Sequence, residues 1–170
     1  IDAFHDGEVH DIASLKRLRL DAPETERFAL APDDIVINRV NSPEYVGKSA
    51  LIPPLAETTV FESNLMRLTL DSRRIAPRYL IALLQTPAAR QHFQSHAKHA
   101  INQASINQQD VRSLPVMLPP LEAQLAFVRY ANAAASIVAK QQAALRVAQA
   151  NFATLLASAF QHHAVRCDEP

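Results

Sequence analysis

Apolar and polar positions keep two different rhythms in this chain, and the change comes at Pro119-Pro120. Ahead of it, short apolar runs are bounded by turn residues. Ile35-Val36-Ile37 follows Pro32-Asp33-Asp34, and Ala50-Leu51-Ile52 stops at Pro53-Pro54. From Leu65 to Leu70 the pattern alternates, Arg67 and Thr69 on one side against Met66, Leu68 and Leu70 on the other. These three segments are predicted strands. Pro77 opens a predicted helix through Tyr79, Leu80, Leu83 and Leu84. Thr86-Pro87 supplies a cap and a first-turn proline for a second, carrying Ala89, Phe93 and Ala97. Asn107 with Asp110 three residues on marks another helix start. The polar stretch Lys98–Ser105 is expected to be a loop joining two helices, and Val116-Met117-Leu118 a short extended run.

Beyond the double proline, residues 121–164 contain neither Pro nor Gly and are rich in Ala and Gln. Those are strong helix formers, so one continuous helix is predicted, about 65 Å long at about 1.5 Å per residue. Pro120 suits a first turn, and Glu122 suits the positive end of the helix dipole. Val138, Leu145, Phe152 and Ala159 recur every seven residues, with Ala148 and Leu155 three positions further on. That is a heptad seam, interrupted at Gln141 and Gln142, and it calls for a partner surface. The partner is either another helix or the chain's own domain. The expected fold class is α+β: a small mixed strand and helix domain over residues 1–118, then one long coiled-coil-type helix over 119–164. Residues 165–170 are expected to be a disordered tail.

Composition narrows the function. The chain has 170 residues, 17 Lys plus Arg against 17 Asp plus Glu, and no net charge. A simple polycation that binds nucleic acid or membrane by bulk charge is excluded, although a basic face is not. The single Cys167 rules out a disulfide framework and fits a reducing cytoplasm. No apolar stretch approaches the roughly 18 residues of a membrane span. The start at Ile1-Asp2-Ala3, without an initiator Met, reads as a piece of something longer.

Catalytic motifs are missing. With only Gly7 and Gly47 in the chain, no glycine-rich phosphate loop can be built. No GxSxG elbow, HExxH or paired Cys-x-x-Cys occurs. His92, His96 and His99 have the spacing of one helix face, but no carboxylate lies near them in sequence. A solvated helix explains them better than a metal, so neither a metal nor a cofactor is expected.

Two polar segments are more informative. The first, Asn38 to Lys48, offers Asn38, Arg39, Asn41, Tyr45 and Lys48 directly after an apolar strand. Amides pair bidentately with adenine and guanidinium with guanine, while Lys and Ser suit phosphate. The second, Lys98 to Ser105, supplies Asn102, Gln103 and Ser105. Residues 71–112 hold Arg73, Arg74, Arg78, Arg90, Lys98 and Arg112 against Asp71 and Asp110 alone, a modest basic excess. Residues 1–15 instead hold four acids and no Lys or Arg.

Read together, Asp34-Ile35-Val36-Ile37-Asn38-Arg39, Val46-Gly47-Lys48, Asn102-Gln103-Ala104-Ser105-Ile106-Asn107 and Leu114 to Gln124 carry a resemblance. Over about residues 30–164 the chain resembles the specificity subunits of type I restriction-modification systems. The junction Pro119-Pro120-Leu121-x-x-Gln124, with the long helix behind it, is the most specific part. Pro32-Asp33 stands where the family usually has a Gly before the strand, and Ala123 where Glu is frequent. The resemblance implies a non-catalytic DNA-binding module, a target-recognition domain reading one half of a bipartite site on double-stranded DNA. It implies that the helix acts as a spacer and docks methyltransferase (M) subunits, with the restriction (R) subunit reached through the complex. Whole subunits of that family carry two such domains and two such helices, so a homodimer through the helix is a further expectation.

On this reading Asn38, Arg39, Asn41 and Tyr45 are candidates for base or groove-edge contacts. Lys48, Asn102, Gln103 and Ser105 are candidates for phosphate or groove contacts, and Val138, Leu145, Phe152 and Leu155 for the helix interface. The alternative is an assembly scaffold whose helix mediates oligomerisation and whose globular part is passive.

Overall fold

β-branched side chains bounded by turn residues make Ile35-Val36-Ile37 a strand, and it becomes the centre of the fold. A computed structural model describes residues 4–10, 12 and 15–164, with side chains through residue 160. The elements run in chain order as β1 (Phe4–His5), β2 (Gly7–Val9), α1 (Ala22–Phe28), β3 (Ile35–Asn38), β4 (Val40–Asn41) and β5 (Ser49–Leu51). They continue as β6 (Leu65–Leu68), α2 (Pro77–Leu84), α3 (Pro87–His96), β7 (Lys98–Ala100), β8 (Gln103–Ser105), α4 (Gln108–Arg112) and α5 (Leu121–Ala164). This is the α+β class. The tail at 165–170, with Cys167, lies outside the described residues.

One sheet has the order β1-β2-β5-β3-β6, with β2 and β5 parallel and the other neighbours antiparallel. Successive side chains of a strand point to opposite faces, so β3 feeds two cores. Ile35 and Ile37 pack with Leu80, Ile81 and Leu84 of α2 and with Phe93 of α3. Val36 lies on the other face with Phe4, Ala50 and Ile52. Each fully buried Val or Ile contributes about 1.5–3 kcal/mol, so this strand is the main anchor of the unit. The buried Asp34 before it is satisfied locally: its Oδ2 accepts from Ala31 N at 2.9 Å and its Oδ1 from Thr69 Oγ1 at 2.9 Å. A buried carboxylate without such partners would be strongly destabilising.

The helix starts follow their caps. Thr86 Oγ1 accepts from Ala89 N at 3.3 Å at the head of α3. At α4, Asn107 Oδ1 accepts from Asp110 N at 3.2 Å, while Asp110 Oδ2 accepts from Asn107 N at 2.7 Å, a reciprocal capping box. Helix α1 was not anticipated, although Asp21, whose Oδ1 accepts from Glu24 N at 2.7 Å, is an ordinary cap signal.

Two expectations are corrected. Lys98–Ser105 is not a loop joining two helices but the hairpin β7–β8, turning at Ile101-Asn102 with Asn102 in the left-handed region at φ 60°. Helix α3 stops at His96 and His99 lies in β7, so the three imidazoles do not share a helix face. The run Val116-Met117-Leu118 pairs with no strand among the described residues. Prolines at 115, 119 and 120 remove ladder donors around it, and the Met117 carbonyl accepts instead from the Tyr79 hydroxyl at 3.1 Å.

The chain divides into a compact unit of Ile1–Ala126 and a second unit of Phe127–Pro170. The start of α5 thus belongs with the first unit, and Gln124 shows why. Its side chain is wholly buried. Oε1 accepts from Ala76 N at 2.9 Å, while Nε2 donates to Arg74 O at 3.0 Å and to Pro119 O at 2.8 Å. One amide therefore stitches the proline junction to the head of α2. In the second unit, Val138, Leu145, Phe152 and Leu155 are each more than half exposed. No helix among the described residues is long and apolar enough to cross a membrane.

Candidate nucleic-acid interface

The two polar segments singled out in the sequence are bonded to each other. β4 pairs with β8, and β8 with β7, giving a second sheet in the order β4-β8-β7. Arg39 leads from β3 into this sheet. Its backbone N donates to Asn64 O at 2.8 Å and its carbonyl accepts from Ile106 N at 2.9 Å, while the residue as a whole is exposed. The guanidinium is therefore presented from a backbone held on both sides.

The loop that follows is closed at its neck. Asn38 N donates to Lys48 O at 2.7 Å, and Gly47 N donates to Asn38 O at 2.8 Å. Inside it, Ser42 O accepts from Tyr45 N at 3.0 Å and from Val46 N at 3.1 Å, and Val46 inserts into the core. Gly47 has φ +81°, and a Cβ built there would lie 2.5 Å from Cδ2 and 2.7 Å from Cβ of the buried Phe93. Only glycine satisfies both demands. The loop thus rests on α3 and turns Tyr45, just over half exposed, outward.

Lys48 does not project freely. Its Nζ lies 5.2 Å from the centre of the Phe4 ring and 5.7 Å from that of Tyr45, a cation–π arrangement that steadies the exposed tyrosine. Beside them the Ser42 side chain, and then the backbone of Glu44 itself, hydrogen-bond the Glu44 carboxylate and hold its pKa below the usual range.

Asn38 and Asn41 have structural surroundings rather than exposed ones. Asn38 is fully buried at the end of β3, so its amide does not reach the surface. Asn41 is half-buried and its Oδ1 already accepts from Ser42 N at 2.7 Å. It sits opposite Ala104, which is buried in the core, and so lies on the inward side of the sheet. The alternation that would have revealed this is hidden, because β4 is only two residues long.

The outward side is set by the hairpin. Lys98 pairs with Ser105, and Gln103 stands two residues before Ser105, so the three share one face. Lys98 and Gln103 are exposed and Ser105 is half-buried. Lys98 was missed among the contact candidates because the Ile101-Asn102 turn lacks the glycine that usually announces a two-residue hairpin. Asn102 stands exposed at its apex. Not every cation of the basic 71–112 segment is available: Arg73 is forked onto Asp71, with Nε to Oδ1 at 2.9 Å and Nη2 to Oδ2 at 3.1 Å. The pair lowers the carboxylate's pKa and raises that of the guanidinium.

His92 is spent on packing. Its Nε2 lies 3.0 Å from Asp110 O and 3.1 Å from Ser113 Oγ, and its ring stacks on His96 at 4.1 Å. Among the described residues no group of three His, Cys, Asp or Glu side chains is placed to hold a metal ion.

No family model matches the chain. Curated relatives do. It is 37% identical over 98 residues to the MjaX type I restriction enzyme specificity subunit of Methanocaldococcus jannaschii, covering 58% of this chain and 23% of that protein. It is 29% identical over 119 residues to the StySPI specificity subunit of Salmonella potsdam, covering 69% and 26% respectively. To the EcoKI specificity subunit of Escherichia coli it is 28% identical over 121 residues, covering 70% and 26%. The chain therefore spans about a quarter of the length of the curated relatives it matches. Over more than half of its own length it is similar to type I restriction enzyme specificity subunits.

Proposed function

We propose that this chain is a non-catalytic DNA-recognition module that reads one half of a bipartite site, with α5 docking methyltransferase subunits. Methylation and cleavage belong to partner chains, the restriction subunit being reached through the complex, and the module needs no cofactor. Its place of action is the cytoplasm, where the DNA is. The observation that carries this reading is the pairing of β4 with β8, which joins the Arg39–Lys48 and Lys98–Ser105 segments into one polar surface. Similarity to specificity subunits supports it. In this reading Arg39 and Gln103 contact base edges, with Tyr45 and Asn102 at the groove and Lys98 and Ser105 on phosphate. Lys48 acts by holding Tyr45.

Arg39→Ala is expected to cost about 1–3 kcal/mol of binding and to relax specificity at a single base pair. Methylome sequencing of cells expressing the variant with its methyltransferase reads this directly. An unchanged methylation pattern would remove Arg39 from the site.

A scaffold reading also has an observation in its favour, the exposed apolar side chains of α5. Both readings require that helix, and a single copy-to-copy pairing would satisfy it as well. Replacing Leu145 and Phe152 together with Asp is expected to abolish co-purification with methyltransferase subunits while leaving the thermal unfolding of the globular unit unchanged. Retained assembly would show that the heptad seam is not the interface. Salt separates the readings: DNA affinity that falls steeply with salt, through release of counterions from phosphate, belongs to the recognition module alone.

A further inference from the structure

Ile101 stands out by its chemistry. It occupies the first position of the two-residue turn between β7 and β8, where polar residues are usual. A β-branched apolar side chain gains nothing there from packing, since Ile101 is 93% exposed. Its surroundings are polar: Lys98 and His99 on one strand, Asn102 and Gln103 on the return. Asn102 takes the left-handed conformation that the turn requires, which leaves the first position open to any residue. Departures of this kind concentrate at functional positions.

Resting on the DNA-recognition reading, we infer that Ile101 is a specificity residue that packs against the C5-methyl group of a thymine in the major groove. A two-stranded ribbon is one of the shapes that the major groove admits, and the hairpin tip from Ala100 to Gln103, beyond the β4 pairing that ends at Ala104, is two-stranded with its turn as the leading edge. Thymine is the one base that presents an apolar group there, and an aliphatic side chain at the tip is the matching surface. Gln103, on the face shared with Lys98 and Ser105, flanks the tip with an amide suited to the neighbouring base, and Lys98 stands behind it for the phosphates. The exposed isoleucine thereby acquires a partner when the ribbon enters the groove.

The test uses the chain in its methyltransferase complex, with DNA carrying the site found by methylome sequencing. Deoxyuridine replaces each thymidine in turn, which removes the methyl group alone. For the unaltered protein, one substitution is expected to weaken binding about fourfold, the worth of one buried methyl-sized group. Ile101→Ala is expected to lose about tenfold on the natural site, and then to be indifferent to deoxyuridine at that position. Circular dichroism of Ile101→Ala should match the parent, because the residue lies outside the core. Unchanged affinity of Ile101→Ala, or an equal loss on unrelated DNA, overturns the assignment while leaving the module's DNA-binding role intact. So does a deoxyuridine effect that persists in the variant. If the parent complex shows no site-specific binding, the recognition reading fails and this inference falls with it.

Discussion

Replacing Gly47 with alanine is expected to cost about 2–5 kcal/mol of stability, a large part of what a domain of this size has. Two penalties add. The backbone at Gly47 has φ +81°, which an L-side chain reaches only under strain. The new Cβ would also meet Phe93, with contacts of 2.5, 2.7 and 2.8 Å. A rotamer change cannot relieve this, because one contact is to the Cβ of Phe93 itself. Either α3 or the neck of the Asn38–Lys48 loop must move. The expected result is a fall of about 1–2 M in the urea midpoint, followed by circular dichroism. Phe93→Ala in the Gly47→Ala background should not restore it, since position 93 keeps its Cβ. A midpoint within a few tenths of molar of the parent would show that the close approach is not real. The functional corollary is that Gly47→Ala displaces Arg39 and Tyr45 without touching either.

Gln124→Leu is expected to be nearly as damaging, although leucine matches the volume and adds apolar surface. Three backbone groups depend on that amide: the Ala76 N–H, and the carbonyls of Arg74 and Pro119. The buried Ala76 N–H left unpaired costs about 1–3 kcal/mol, and the two part-buried carbonyls add less. Relaxation at the junction will recover part, so a net loss of about 2–4 kcal/mol is expected. The shorter Gln124→Asn should behave similarly, because it falls one methylene short of spanning Ala76, Arg74 and Pro119. Thermal unfolding monitored by circular dichroism measures both variants. If either melts with the parent, the stitch is redundant.

Segments whose instructions are local were readable in advance. The Ile35–Ile37 run, the prolines at 77 and 87, the Thr86 cap and the Asn107/Asp110 box each specify an element within a few residues. The Ala- and Gln-rich segment announced α5 in the same way. What could not be read was pairing at a distance. β1 and β2 are two and three residues long, and β2 lies parallel to β5, some forty residues away, so neither carries a periodic signal. The junction Gln124 was visible as a motif, but its role required knowing that the head of α2 lies beside it. Within the candidate site, residue chemistry selected Arg39, Tyr45, Gln103 and Asn102 on the surface. It misjudged Asn38 and Asn41, because burial is decided by what packs over a strand end and not by the strand's own sequence.

The bonds between β4 and β8 are made by main-chain atoms, which has a consequence for how such a surface can change over generations. Main-chain pairing is indifferent to the identity of outward side chains, so Lys98, Gln103, Ser105 and Ile101 are free to be exchanged one at a time, while Asn102 is held by its left-handed backbone. A single-residue insertion is another matter. It would reverse the alternation, turning Gln103 and Ser105 inward and pushing Ala104 out of the core. On the proposed function, new preferences are accessible by point substitution on a scaffold of constant length, whereas lengthening either strand by one residue dismantles the proposed reading surface.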